Sequence, residues 1–390
     1  MMLLSRWLIY KIIVFYCFLS SARACMTLGD NAYVDMVLSV IALMILPGYY
    51  YEHTFKRSIA AFFLVVAAMY TMHGTWLLSA YAAQFFMVLI PAQLIFLKRR
   101  YQVELFNTLS KWYAVLLAAS CVWWILWLLG APLPHSTTGK LIWENGSYGY
   151  AIENYYLFRN TIDLNPYLSP IDIYRFNGFF LEPGHIGTIT CVFLFANKYD
   201  FTRKINIIFL VIIIVSLSAA AYLLAVVGYC LYRYSRDGLR VVLPILAIIG
   251  AIVLAAQYNG GDNIINNMVF AKFTRENGAI DGRFSAETLN LWNQYLMSDQ
   301  LIQGMGVVEI HQSAGFKVYL IMFGLLGASL VLMAYWSIVK VNDSRLGRFM
   351  FVLLVFSFIQ RVYCFWDAFL DPYILGMAYL KAKDEKIIGT

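Results

Sequence analysis

The sequence predicts an all-α, polytopic integral membrane protein with about twelve transmembrane helices and two long loops on the outer, periplasmic side. Three observations carry this expectation. Hydrophobic residues make up 61% of the chain and charged residues only 13%, far from the balance of a water-soluble domain. The apolar residues gather into runs long enough to cross a hydrocarbon core, where a helix alone satisfies its own backbone groups. Short stretches rich in Lys and Arg separate those runs, the pattern of loops retained on the inner side. The chain therefore reads as one transmembrane domain over residues 1–390, without low-complexity tracts or an internal repeat.

The first run follows Arg6. Its Ala22-Arg23-Ala24 ending mimics a signal-cleavage site, but Lys11 interrupts the apolar stretch and more spans follow, so an uncleaved helix over 7–22 is expected. Spans at 33–51, 58–73, 76–97 and 112–130 come next, with Lys56-Arg57 and Lys98-Arg99-Arg100 through Lys111 marking inner loops. Residues 131–177 then form the first long outer loop, span 178–197 returns, and Lys198, Arg203 and Lys204 mark the inner face. The run 205–232 is too long for one ordinary span and too short for two full ones. A hairpin turning near Ser216-Leu217-Ser218 keeps Arg233, Arg236, Arg240 and the later basic residues inside, so two short helices are expected. Span 241–257, the second long outer loop at 258–315, spans 316–339 and 349–366, and a short return near 371–380 complete the path, with both termini cytoplasmic.

The net charge of +7 does not point to nucleic acid, because the basic residues sit at helix ends. The six cysteines lie scattered, mainly in apolar runs, with no CxxC spacing, and read as small buried hydrophobes.

Two outer loops of this length are unusual in a compact membrane protein and are where function is expected. The first carries Trp143, Tyr148, Tyr150, Tyr155, Tyr156, Arg159, Asp163, Tyr167, Asp172, Tyr174 and Arg175, then Asn177-Gly-Phe-Phe-Leu-Glu182-Pro-Gly-His185-Ile-Gly187. Aromatic residues among polar ones suit sugar rings, and equally an interfacial belt. Glu182 stands where apolar sequence resumes; an ionisable group there is a functional candidate, and with Pro183 behind it also a helix cap. Glu182-x-x-His185 resembles half of a di-metal motif whose other half is missing, and no HExxH or Asp-x-Asp occurs, so no metal or other cofactor is expected. The second loop carries Lys272, Arg275, Glu276, Asp281, Arg283, Trp292, Gly304-Met-Gly306 and His311-Gln312, ahead of Gly324-Leu-Leu-Gly327. Arginine forks suit phosphate oxygens, so Arg175, Arg275 and Arg283 are candidates to hold a lipid-linked diphosphate, or simply headgroups at the rim. His311 has the ordinary basicity of a general base, and also of a hydrogen-bonded loop histidine. Gly324 and Gly327 also suit close helix packing.

Taken together, Arg175-Phe-Asn-Gly-Phe-Phe-Leu-Glu182-Pro-Gly-His-Ile-Gly, Asp281-Gly-Arg283, Gly304-Met-Gly306, His311-Gln and Gly-Leu-Leu-Gly resemble the O-antigen polymerase and O-antigen ligase superfamily over residues 140–330. The resemblance implies a metal-independent, inverting glycosyltransferase of the bacterial inner (cytoplasmic) membrane. Its donor and acceptor would be undecaprenyl-diphosphate-linked glycans, with membrane lipid around it and a chain-length regulator as a further partner. By the same resemblance Arg175 and Arg283 hold the leaving diphosphate and Glu182 or His311 takes the acceptor proton. Arg275, Arg159, His185 and Arg361 are further candidates for substrate binding. The interval from Gln312 to Gly324 is longer than in the ligase pattern, and the Phe-Leu-Glu-Pro phrase looks more like the polymerases. Polymerase is thus the expected activity and ligase the alternative. A lipid-linked oligosaccharide transporter is a further alternative; it should show polar groups deep within its spans, of which the sequence shows few. A transferase using a lipid monophosphate sugar, with Asp30 or Asp35 as its carboxylate, has little else in its favour.

Overall fold

Apolar runs become helices here because each can satisfy its own backbone, and the described structure is accordingly mainly helical. It is a computed structural model describing residues 2–22, 24–27, 32–52, 88–142, 149–163, 175–261, 286–306, 315–360 and 367–388, with 59, 62, 63, 65, 66, 263 and 266. The helices are α1 (Met2–Ser21), α2 (Ala32–Ile45), α3 (Leu89–Phe96), α4 (Arg99–Leu128), α5 (Pro183–Ala196), α6 (Lys204–Val215), α7 (Ala219–Asp237), α8 (Val242–Gln257), α9 (Ala286–Met297), α10 (Phe316–Val341), α11 (Arg345–Gln360) and α12 (Asp367–Ile388). Spans 58–73 and 76–97 fall largely outside the described residues.

The all-α expectation needs one amendment. The first long loop contains an antiparallel sheet in the order β1 (Ser136–Ile142), β2 (Gly149–Asn154), β3 (Arg159–Asp163), with Thr137 opposite Glu153 and Ile152 opposite Thr161. Its Thr, Ile and Tyr content and the absence of an apolar helical stripe explain why this polar segment pairs as strands.

The run 205–232 does divide at Ser216–Ser218, into α6 and α7. Ser218 caps α7 by accepting a hydrogen bond from the Ala221 amide, and the turn leaves α6 at 12 residues. Two described helices, α4 and α10, are long and apolar enough by themselves to cross a bilayer, whereas Tyr33–Ile45, α5 and α6 are apolar but shorter. At 14 residues α5 is about 21 Å long, less than the roughly 30 Å of a hydrocarbon core.

The reading of the last segment is corrected. In place of a short return over 371–380, α12 is one 22-residue helix, and every residue from Asp367 to Leu380 is buried; the expected end of the preceding span at 366 lies outside the described residues. It packs against α1, α3, α4, α5, α10 and α11. Tyr379 lies 4.7 Å from Phe106 of α4, Tyr373 lies 5.4 Å from Tyr335 of α10, and Gly376 leaves room for Ala196 and Met350. A helix buried on every side over this length is a central helix.

The described part of the first long loop lies at one end of the bundle and most of the described basic residues at the other. At the basic end Arg99 holds Glu385 through two bonds of 2.6 and 2.7 Å, Lys198 holds Asp384 at 3.0 Å, and Lys381 reaches the Asp343 carbonyl.

At the loop end α10 is broken. Gly324 has φ 63° and ψ −174°, which ends one helical piece and starts another. Residues 300–306 lie against this break: Met305 N donates to Ile321 O and Gly306 N to Met322 O, while Leu325 N and Leu326 N donate to the carbonyls of Leu301 and Ile302. The amides left over at the break are therefore paired with this neighbouring strand of chain. A Cβ on Gly324 would collide with the Ile302 carbonyl, and one on Gly304 with the Met322 carbonyl; both glycines also have positive φ. Gly324→Ala should lower stability by about 2 kcal/mol or more, from strain and collision together. Gly250→Ala, which meets nothing within 4 Å, should be neutral or slightly stabilising. Thermal unfolding of both variants in detergent checks this, and equal midpoints would show that the break is not required.

Candidate functional site

The site is assembled at the loop end, around the start of α5. Pro183 opens that helix because its missing amide costs nothing in the first turn. Glu182 occupies the cap position with φ −138° and ψ 146°; its carbonyl accepts from His185 N at 3.1 Å. Its side chain makes no capping hydrogen bond, and the residue stands half-buried at the positive end of the α5 dipole.

The turn before it, Phe176–Phe180, is buried yet irregular, and its backbone is satisfied from three directions. Phe176 N donates to Val215 O at the tip of the α6–α7 hairpin, Gly178 O accepts from Arg159 N of β3 at 2.7 Å, and Phe179 O accepts from Cys25 N beyond α1 at 2.8 Å. Gly178, at φ 56°, supplies the left-handed residue, and a side chain there would strike Ile186. Gly187 lets α5 approach Ala221 of α7 closely.

These links decide where the expected residues stand. Arg175 is exposed and close enough to Tyr222, in the first turn of α7, to interact with its hydroxyl electrostatically. Arg159 is half-buried, its backbone pinned to the turn that leads to Glu182. His185 is 5% exposed and enclosed in the bundle. Arg159, Arg175, Glu182 and His185 thus share one end of α5. Arg275, Arg283, His311 and Arg361 lie outside the described residues. The segment holding His311 is flanked by Gly306 and Gly315, and Gly306 is the residue paired with the α10 break.

Of the loop aromatics, Tyr155 belongs to the packing: it stacks on Phe158 at 4.5 Å, accepts from Trp127 Nε1 and donates to Glu153. Tyr156, 58% exposed and at φ 68°, remains on the surface. Trp143, Tyr148, Tyr167, Asp172 and Tyr174 lie outside the described residues.

A second polar group was not legible in the sequence. Asp35 of α2 and Asp367 and Asp371 of α12 are 5%, 2% and 0% exposed, and Asp367 interacts electrostatically with the other two. Ser20 donates to Asp35 at 2.8 Å, and Ser21 Oγ accepts the Ala368 amide at 2.8 Å. Among the described residues neither Asp371 oxygen nor the buried Tyr10 hydroxyl has a hydrogen-bond partner. Among the described residues no three His, Cys, Asp or Glu converge as metal ligands. The available signal was the pair of aspartates four apart in 367–371, which one helix sets on the same face about 6 Å apart.

The Cys25 thiol reports on this end. Burial pushes it up to about 11, and Arg159 nearby pulls in the opposite direction. With the thiolate as the reactive form, Cys25 should alkylate slowly at pH 8 and faster as pH approaches 11. Arg159→Gln should raise its pKa further and shift that rise to higher pH. Alkylation mapped by mass spectrometry measures it; an unchanged profile would separate Arg159 from Cys25. In comparisons with family models, curated proteins and solved structures, this chain matches none.

Proposed function

We propose that this protein is a polysaccharide polymerase of the bacterial inner membrane, crossing it about twelve times with both termini inside. It joins undecaprenyl-diphosphate-linked oligosaccharides into O-antigen or a related surface polysaccharide at the periplasmic face. The observation that carries the reading is the gathering of Glu182, Arg159 and Arg175 at the exposed end of α5 by backbone links from three separate elements. The seating of residues 300–306 on the α10 break adds support, since it anchors the chain leading to His311 at that end.

In this mechanism the acceptor sugar's hydroxyl oxygen attacks the donor's anomeric carbon, forming the glycosidic bond as the bond to the diphosphate breaks. The hydroxyl proton passes to Glu182 or His311. The electron pair leaves with the diphosphate, whose growing charge is met by the guanidinium groups of Arg175 and Arg283. Arg159, Arg275 and Arg361 add binding charge around it, and His185 holds the α5 end in shape. A chain-length regulator and membrane lipid are the partners that this activity calls for. No cofactor enters any step.

A second reading, transport of lipid-linked oligosaccharide, is favoured by one observation: the carboxylates of Asp35, Asp367 and Asp371 buried together within helices. One experiment separates the two. Purified protein given lipid-diphosphate repeat units, without nucleotide sugar or metal, should produce a ladder of glycans on a gel. Arg175→Ala and Arg283→Ala should each lower the rate at least about 100-fold, with poor rescue by Lys, which lacks the planar fork. Between Glu182→Gln and His311→Ala, the base is the one whose loss removes the ladder. Transfer of one glycan to lipid A core without a ladder identifies the ligase. Translocation across vesicles with no covalent product, lost in Asp371→Asn, identifies the transporter.

A further inference from the structure

Away from the loop end, a cavity of about 1100 Å³ opens at the basic end between α4, the α5–α6 turn, α7 and α12. Its lining includes Lys198, Arg203, Arg233, Arg236 and Lys383 against one acid, Asp200. Asp200 is committed to its own turn, accepting from Thr202 N at 3.2 Å and Thr202 Oγ1 at 2.6 Å. Carboxylates pair two of the cations: Asp384 with Lys198 and Asp237 with Arg233. The other three have no carboxylate within ion-pair distance among the described residues, although Asp237 attracts Arg236 from farther off. Arg203 donates to Asn197 Oδ1 and to the Tyr379 hydroxyl at 3.1 Å, Arg236 donates to the Tyr232 hydroxyl at 3.2 Å, and Lys383 lies over the Tyr379 ring.

Basic residues at the inner end of helices are expected from topology alone, but topology asks only for charge near the surface. Here charges from three parts of the chain converge on one concavity. Phenol oxygens hold all three arginines in place, that of Tyr229 accepting from Arg233 at 3.2 Å, and a phenol that accepts from arginine keeps its own proton to donate. The α5–α6 turn adds strained backbone: Lys198 and Tyr199 stand in succession at φ 60° and 50°, and both line the cavity. Gly228 of α7 is open where Tyr199 seats, since any side chain there would collide with its hydroxyl. The result is a recess rich in oriented donors and in unneutralised positive charge, the inverse of a cation site.

We propose that this cavity binds a phosphate-bearing anion, with Arg203, Arg236 and Lys383 supplying charge and the Tyr232 and Tyr379 hydroxyls supplying hydrogen bonds. One isolated phosphate would leave most of the volume unfilled, so the ligand carries two or more phosphates or a phosphate with a bulky headgroup. It reaches the cavity either as a soluble diphosphate or as the headgroup of an anionic lipid. The site lies at the opposite end from the proposed glycan chemistry and does not depend on it.

The test uses the full chain in detergent with two probes, inorganic pyrophosphate by calorimetry and phosphatidylglycerol against phosphatidylcholine by native mass spectrometry. The double variant Arg236→Gln, Lys383→Gln alters groups near the mouth of the cavity. The control Lys340→Gln, Arg345→Gln removes the same charge outside it. The double variant should weaken binding of one probe at least about tenfold, and added salt should weaken the wild type. Loss of pyrophosphate binding identifies a soluble source, and loss confined to phosphatidylglycerol identifies a lipid headgroup. If cavity variant and control bind alike, or phosphatidylcholine binds as tightly as phosphatidylglycerol with no pyrophosphate binding, the proposal is overturned.

Discussion

The packing of α12 is the constraint on which the rest of the bundle depends. A helix buried along Asp367–Leu380 has to be enclosed by others, and six helices lean on it. In the membrane proposed for this protein there would be little gain from hiding one apolar side chain behind another, because lipid tails serve as well. What holds such a helix is close contact: small residues where backbones approach, as at Gly376 against Ala196, and rings that interlock, as with Tyr373 against Tyr335. Its polar ends are tied separately, Ala368 N to Ser21 at the loop end and Glu385 to Arg99 at the basic end. The helix is therefore fixed along its axis as well as across it.

Helix α5 shows what this enclosure permits. It is short, and the chain before it runs irregularly through Phe176–Phe180 while buried. Irregular backbone at such depth is tolerated only when other protein supplies its hydrogen bonds. The hairpin tip at Val215, strand β3 and the segment after α1 supply them. The same rule governs the α10 break, where residues 301–306 pair with 321–326. At both places the chain forgoes a straight helix, and both lie at the loop end, beside the groups proposed to act on glycan.

Much of this was legible in the chain. The hydropathy runs located most of the described helices, and the basic residues between them argued for a hairpin in 205–232, where α6 and α7 meet at Ser216–Ser218. Glu182 was legible as a helix start from Pro183 alone. The small sheet was missed because its segment is polar and was read by loop length rather than by strand pattern. Helix α12 was misread because Asp367, Asp371 and Pro372 interrupt an apolar run, and local pattern takes such interruptions as a boundary.

What the sequence determined by itself was local: which stretches must be helical, where charge forbids burial without partners, and which glycines leave the backbone free to turn. Those follow from the period and transfer energy of single segments. Only the tertiary structure decided which turns are enclosed, that residues 300–306 seat on Gly324, that Asp35 joins Asp367, and that five cations share one recess. These are contacts between residues far apart in the chain. Their energies depend on shape fitting shape across helices, a quantity that no single segment contains.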